Sequence, residues 1–326
     1  MTHDPASVDS IENDSSSGHQ KTGTLAGADT APGRLPLAGG DLPWTGRSRR
    51  IRPGRILIGC GMTVVGLAFA FPILWMALTA FKSTEAFLSE TYPLSWKSFL
   101  PSQPTVDNFL SIFRVFGFER NLFNTAIVAA GQIVGSMAVC SLAGYAFALK
   151  EFRFRRGLFA FCMIPAFLPA EALIVPLYDV VKSLGLVSTY LGLFLPFICN
   201  PFGILLMRQA FREVPRSIFE AADVDGASEA RTFLRIGLPG VRPALATLAL
   251  LQFIWSWSSF FWPLVAMQDP AKQVAQVGMA NFATAANTPL YGEVFAAATV
   301  LTLPVVALSI VLQRYYVKGM VSSSGR

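Results

Sequence analysis

Apolar residues fall along this chain in long unbroken runs. Five stretches carry no charged residue: Ile56–Phe81, Leu122–Leu149, Leu184–Met207, Pro243–Gln268 and Val294–Gln313. A sixth, Gly157–Val181, is apolar apart from Glu171 and Asp179. Each meets the roughly 20 residues that a helix needs to cross a hydrocarbon core. One buried globular core would not need six such lengths. The pattern predicts an all-α, polytopic membrane protein with six transmembrane helices. It changes between the fourth and fifth runs. Glu220–Pro243 is charged and turn-rich, so it cannot lie in lipid and must form a surface beside the membrane.

Composition agrees with the pattern. Of 326 residues, 53% are hydrophobic and 14% are charged, where soluble domains carry about a quarter charged. With the N-terminus inside, 20 of the 26 Lys and Arg residues fall on the inner side. That asymmetry predicts cytoplasmic N- and C-termini. It also accounts for the net charge of +6, so no nucleic-acid partner is called for. Met1 to about Arg52 is rich in Ser, Gly, Asp, Thr and Pro and reads as a disordered cytoplasmic tail, with no apolar centre of a cleavable signal peptide. The membrane domain is then 53–326.

Several chemistries are absent from the sequence. The only histidines, His3 and His19, sit in the tail, which excludes a His-based centre within the membrane. Cys60, Cys140, Cys162 and Cys199 lie in the predicted spans without metal-ligand spacing. No Walker A phosphate loop occurs, nor any zincin, kinase or nucleophile-elbow pattern. Intramembrane charge pairs of the kind used in proton or sodium coupling are nearly missing. If the chain is a transporter, its energy is expected to come from elsewhere.

Three features inside the spans are candidates. The second span is rich in Gly and Ala, which lets helices approach closely in lipid. The third holds Pro165, Pro169 and Pro176 with Glu171, about 22 Å up a straight helix at about 1.5 Å per residue. Glu171 is either a functional intramembrane carboxylate or a group at the outer headgroup level. In the fifth, Gln252, Trp255, Ser259 and Trp262 recur at helical spacing. That face suits a helix–helix interface with an aromatic belt, or a path for polar, ring-shaped solutes.

The segment 208–242 is read as a helix-turn-helix. Pro215 suits a first helical position, and Ser217–Val224 follows without a breaker. Asp225-Gly226 stops that helix, because Gly tolerates the left-handed conformation. Ser228 can cap a second helix running to about Ile236, which Leu238-Pro239-Gly240 ends. Ala221 and Ala222 keep one side thin enough for another protein to approach. Glu220 and Asp223, with Arg231 and Arg235, offer ion pairs.

Glu220-Ala221-Ala222, Asp225-Gly226-Ala227, Phe233, Leu238-Pro239 and Pro243 together resemble the EAA loop of ABC-importer membrane subunits. Residues 55–320 are similar to the maltose-type carbohydrate permease family. Thr105–Phe109, Leu142–Phe147, Ile174–Tyr178, Phe253–Trp257, Trp262–Leu264 and Gln313–Gly319 carry the likeness. The chain departs from the family in having Ser258 where Asn is usual, and in its ending Val321–Arg326. The resemblance implies a multi-pass subunit of a bacterial inner membrane that forms half a pore with a second permease. It implies two ATPase subunits that bind ATP and Mg, so that this chain holds no cofactor and no catalytic or metal site. It implies an extracytoplasmic solute-binding protein and a sugar or oligosaccharide substrate. Glu220–Gly226 would dock in the ATPase as a cytoplasmic coupling loop. The spans contain no Lys or Arg, which favours a neutral solute over an anion such as glycerol phosphate. A permease for another solute, such as a polyamine, and an ATPase-independent carrier or scaffold remain open.

Overall fold

The computed structural model describes residues 53–323 apart from 92, 94 and 285–288, with side chains from 58 to 310. The predicted tail and the side chains of Gln313–Gly319 lie outside the described residues. Every element assigned among the described residues is helical. Three helices are long and apolar enough to cross a membrane unbroken, within Ile58–Thr79, Phe118–Leu149 and Tyr291–Ile310. Three bent pairs among the described residues bring the number to six where each pair is taken as one span.

In chain order, α1 (Pro53–Thr79) leads to two short helices, α2 (Thr84–Thr91) and α3 (Asp107–Arg114). Apolar side chains of α1 are exposed on all sides, Phe69 and Met62 among them, as suits a helix whose solvent is lipid or another subunit. Beyond it, Lys82 is fully buried, with its ammonium 3.1 Å from the Glu90 carboxylate. Asn108 Nδ2 donates to the carbonyls of Ala80 and Lys82, each at 2.7 Å.

The centre of the fold is α4 (Phe118–Leu149), 32 residues long and therefore about 48 Å from end to end. It packs on α8 (Pro201–Glu213) and α12 (Arg242–Trp257). Gly144 explains how close α8 comes: a Cβ there would sit 2.5 Å from that of Met207. Polar side chains line the buried face of α4, and most are satisfied by the elements around it. Asn124 donates to the carbonyls of Ala271 and Gln273 at 3.1 and 3.0 Å and accepts from the Tyr190 hydroxyl at 2.8 Å.

The third and fourth crossings are broken. α5 (Arg155–Met163) and α6 (Ile174–Ser183) belong to a pair bent by 103°, with 3-10 turns at Ile164–Phe167 and Ala170–Leu173 between them. Pro165 and Pro169 remove donors and clash with the preceding turn, so no straight helix survives. The height reckoned for Glu171 along a straight helix therefore does not hold. α7 (Tyr190–Phe194) and α8 lie in a pair bent by 52°, and Asn200 caps α8 by accepting from Gly203 N at 2.7 Å.

After α9 (Arg216–Val224) and α10 (Glu229–Thr232), a π-helical turn, Phe233–Gly237, continues into α11 (Leu238–Gly240). The second helix of the segment thus runs past Ile236 and through Leu238-Pro239. The wider turn ahead of Pro239 accommodates a residue that lacks the amide donor. An 80° bend leads into α12. The expected span Pro243–Gln268 stops at Trp257 and resumes as α13 (Phe261–Ala266). Pro263 cannot donate to residue 259, which breaks the helix there. α14 (Ala275–Thr284) and α15 (Tyr291–Ser323) close the chain.

Candidate functional site

Two sites stand out, one at the basic end of α4 and one midway along it. At the basic end, α9 ends in a complete Schellman motif. Gly226 N donates to Asp223 O at 3.1 Å and Ala227 N to Ala222 O at 3.0 Å. Gly226 has φ 69°, the left-handed conformation this motif requires. No atom lies within 4 Å of a Cβ built there, so the requirement is one of backbone conformation.

Beneath α9 is an aromatic cluster. The Tyr145 ring of α4 lies 5.4 Å from that of Phe211, 6.1 Å from Phe219 and 5.2 Å from Phe233. Phe219 and Ala222 turn into this cluster and are buried. The pair expected to form one thin outer side is therefore divided: Ala221 faces out and Ala222 faces in. Glu220, Asp225 and Gly226 are exposed, Ala227, Leu238 and Pro239 are half-buried, and Phe233 is buried. The outer face of α9 carries an apolar stripe that sequence reasoning missed. Ile218, Ala221 and Val224 recur every three residues, and Val224 is 87% exposed. Glu220, Asp223 and Asp225 flank it.

Among the described residues, neither Glu220 nor Asp223 pairs with Arg231 or Arg235. The segment is instead tied to α4 by an ion pair between Lys150 and Glu229, and the Lys150 ammonium lies 5.7 Å from the Tyr145 ring centroid. The hydrogen bond to Glu229 holds the Lys150 ammonium above its ordinary pKa. No local pattern announces a pair 79 residues apart.

Midway along α4, Gln132 Nε2 donates to Gln252 Oε1 at 2.9 Å. Both side chains, with Asn200, Trp255, Ser256 and Ser259, line a cavity of about 250 Å³. Gln252 Nε2 and Ser256 Oγ are buried there without a partner, which leaves two polar groups for a solute or water. A neighbouring groove of about 690 Å³ gathers Glu171, Ser259 and Trp262. Ser259 touches both spaces. The break after Trp257 means that Gln252, Trp255, Ser259 and Trp262 do not form one continuous helical face. Trp262 is buried, with Nε1 donating to Gly192 O at 3.2 Å, and Trp255 is exposed and edge-on to Phe202.

Residues 140–322 match the model of the binding-protein-dependent transport system inner membrane component family. The chain is 32% identical over 269 residues to the arabinooligosaccharides transport system permease protein AraQ of Halalkalibacterium halodurans, covering 81% of this chain and 94% of that one. It is also 32% identical over 282 residues to the sn-glycerol-3-phosphate transport system permease protein UgpE of Rhizobium meliloti, covering 83% and 98%. A chain in the crystal structure of a bacterial ABC transporter involved in the import of the acidic polysaccharide alginate superposes with TM-score 0.71. That match has 25% identity and covers 84% of this chain and 99% of that chain.

Proposed function

Because the chain belongs to the binding-protein-dependent transport system inner membrane component family, we propose that it supplies half the pore of an ATP-driven importer and is driven through segment 208–242. The observation that carries this reading is the construction of α9. Its outer face offers an apolar stripe rimmed by acids, its inner face is wedged on Tyr145, and its end is fixed by the Schellman motif. Such a body can receive a displacement at one face and pass it on at the other. Moving a two-state pore from 1:99 to 99:1 takes about 5.5 kcal/mol of differential interaction. Buried apolar contact can supply that, whereas one exposed ion pair contributes about 0–1 kcal/mol.

The family's description supports a binding protein as partner, in keeping with the following division of labour. A second permease completes the pore, and an extracytoplasmic binding protein delivers the solute. Two ATPase subunits bind ATP and Mg and hydrolyse the nucleotide, so this chain is non-catalytic. The basic end of α4 and both termini face the cytoplasm, in keeping with the Lys and Arg asymmetry.

For substrate, the lining of the central cavity favours a neutral, hydroxyl-rich solute, a sugar or oligosaccharide. It offers amides, hydroxyls and an indole, and neither it nor the adjacent groove includes Lys or Arg. A second reading, glycerol phosphate, is favoured by the likeness to UgpE. An anion would meet Glu171 and no fixed positive charge in these spaces. Uptake of labelled oligosaccharides and of glycerol phosphate by the reconstituted transporter tests the choice. Saturable, ATP-dependent uptake of the sugar is expected, and transport of the anion alone would overturn it.

A further inference from the structure

Four arginines at the basic end converge on one concave site. Between the last turn of α4, the start of α5 and the end of α8 lies a cavity of about 710 Å³. Arg155, Arg156, Arg208 and Arg212 line it, against a single acid, Glu151. Among the described residues none of these arginines forms an ion pair. Two are held in place by the open carbonyls of α4. Arg155 donates to Lys150 O at 3.0 Å and to Ala148 O at 3.5 Å. Arg208 Nε donates to Phe147 O at 3.3 Å while its guanidinium lies 4.4 Å from the Phe159 ring centroid. Each guanidinium has five N–H donors, so most remain free. Two backbone-fixed guanidinium groups with free donors make a preorganised receptor for phosphate oxygens.

An apolar strip runs from the same place. Phe154, Leu158 and Phe161, spaced four and three residues apart, are 74%, 47% and 69% exposed. Phe154 also has φ 64°, a conformation that costs a bulky residue energy. That turn leaves its ring at the cavity wall that Arg155 also lines, with the Arg153 guanidinium 5.1 Å from the ring centroid. A soluble anion gains nothing from such a strip, whereas a lipid has a chain to lay along it.

We propose that this cavity binds one anionic glycerophospholipid of the cytoplasmic leaflet. Its phosphodiester sits on Arg155 and Arg208, with Arg156 and Arg212 adding long-range attraction, and the start of an acyl chain follows Phe154, Leu158 and Phe161. Basic pockets at the cytoplasmic ends of membrane helices suit such headgroups. The proposal rests on the cytoplasmic placement of this end given above. It also links lipid to coupling, because the Lys150 that accepts from Arg155 through its carbonyl holds Glu229 through its ammonium.

The test uses the whole transporter, with its partner permease and ATPases, in nanodiscs of equal phosphatidylglycerol and phosphatidylcholine. Native mass spectrometry counts retained lipids, and ATP-driven uptake is followed in parallel. Wild type is expected to prefer phosphatidylglycerol about tenfold. Arg208→Gln should abolish that preference. The Arg156→Gln/Arg212→Gln variant, which leaves the bonds to α4 intact, should weaken it several-fold. Equal retention of the two lipids would overturn the proposal, as would displacement by millimolar inorganic phosphate, which would mark a soluble-anion site. Loss of the ATPases from Arg156→Gln/Arg212→Gln with unchanged phosphatidylglycerol would reassign the arginines to a protein contact. Failure of all uptake with phosphatidylglycerol still retained would sink the importer reading and leave the lipid site standing.

Discussion

Replacing Gly226 separates backbone conformation from surface shape as the basis of coupling. Its φ of 69° costs an ordinary L-residue about 1–2 kcal/mol, and a β-branched residue is a genuine outlier there. Since no atom lies within 4 Å of an added Cβ, the loss within this chain is conformational. A cost of 1–2 kcal/mol corresponds to roughly a 5- to 30-fold shift against the closed cap. Asn visits this conformation readily. Gly226→Asn should therefore keep most ATP-driven uptake, Gly226→Ala should lose a measurable part, and Gly226→Val should lose nearly all. All three should insert normally. Glu220→Ala should be milder than Gly226→Val, because among the described residues Glu220 forms no ion pair and an exposed pair to a partner is worth about 0–1 kcal/mol. The assay is solute uptake in proteoliposomes with ATPase activity measured on the same samples. If Gly226→Asn proved as damaging as Gly226→Val at equal membrane levels, the backbone argument would be refuted. The bare surface at residue 226 would then be what the ATPase requires.

Three further outcomes follow from the same geometry. Burying a valine side chain stabilises by about 1.5–3 kcal/mol, so Val224→Asp should weaken capture of the ATPase on affinity resin at least roughly tenfold with normal insertion; undiminished capture would remove the stripe from the docking face. Gln252→Leu leaves the Gln132 amide without its acceptor and should destabilise by about 1–3 kcal/mol. The Gln132→Leu/Gln252→Leu pair should recover thermal stability while still failing to transport, and recovery of transport as well would make the pair structural. Lys82→Ala removes the buried ammonium that faces the Glu90 carboxylate and should lower the unfolding temperature in detergent; Lys82→Ala/Glu90→Ala should regain part of the loss, and a single substitution without effect would refute the assignment.

What could be read in the sequence depended on the range of the interaction. α1, α4 and α15 follow from uninterrupted apolar runs, which need no partner to be recognised. The turn at Asp225-Gly226 was legible because the residue type and the backbone conformation are one local fact. The broken crossings were half-legible. Pro165, Pro169 and Pro263 announce disruption, but their effect on the position of Glu171 and on the Trp262 face depends on how far the chain turns after each break. Which of Ala221 and Ala222 faces out was not legible, since that is decided by the seating of Phe219 on Tyr145, far away in sequence. The Lys150–Glu229 pair is hidden for the same reason. The stripe of Ile218, Ala221 and Val224, by contrast, lay in plain view at three-residue spacing.

Under the proposed coupling, the placement of these groups makes α4 the element through which a push on α9 would reach the central cavity. It carries Tyr145 and the neighbouring Lys150 at one end, Gln132 at the cavity and Asn124 at the other end. Each is joined to a different part of the fold: Tyr145 to Phe219 and Phe233, Gln132 to Gln252 of α12, and Asn124 to the carbonyls of Ala271 and Gln273. α12 is reached from α10 through the π-turn and α11, so the coupling segment grips α4 and leads into α12 at once. In the proposed importer, a displacement of α9 relative to α4 would bear on the contact between α4 and α12, which includes the Gln132–Gln252 bond. That contact lies in the wall of the cavity with unpartnered polar groups. Shearing it would change which hydrogen-bonding groups the cavity presents, and so give the proposed pore two chemically distinct states without any charged residue in the cavity wall.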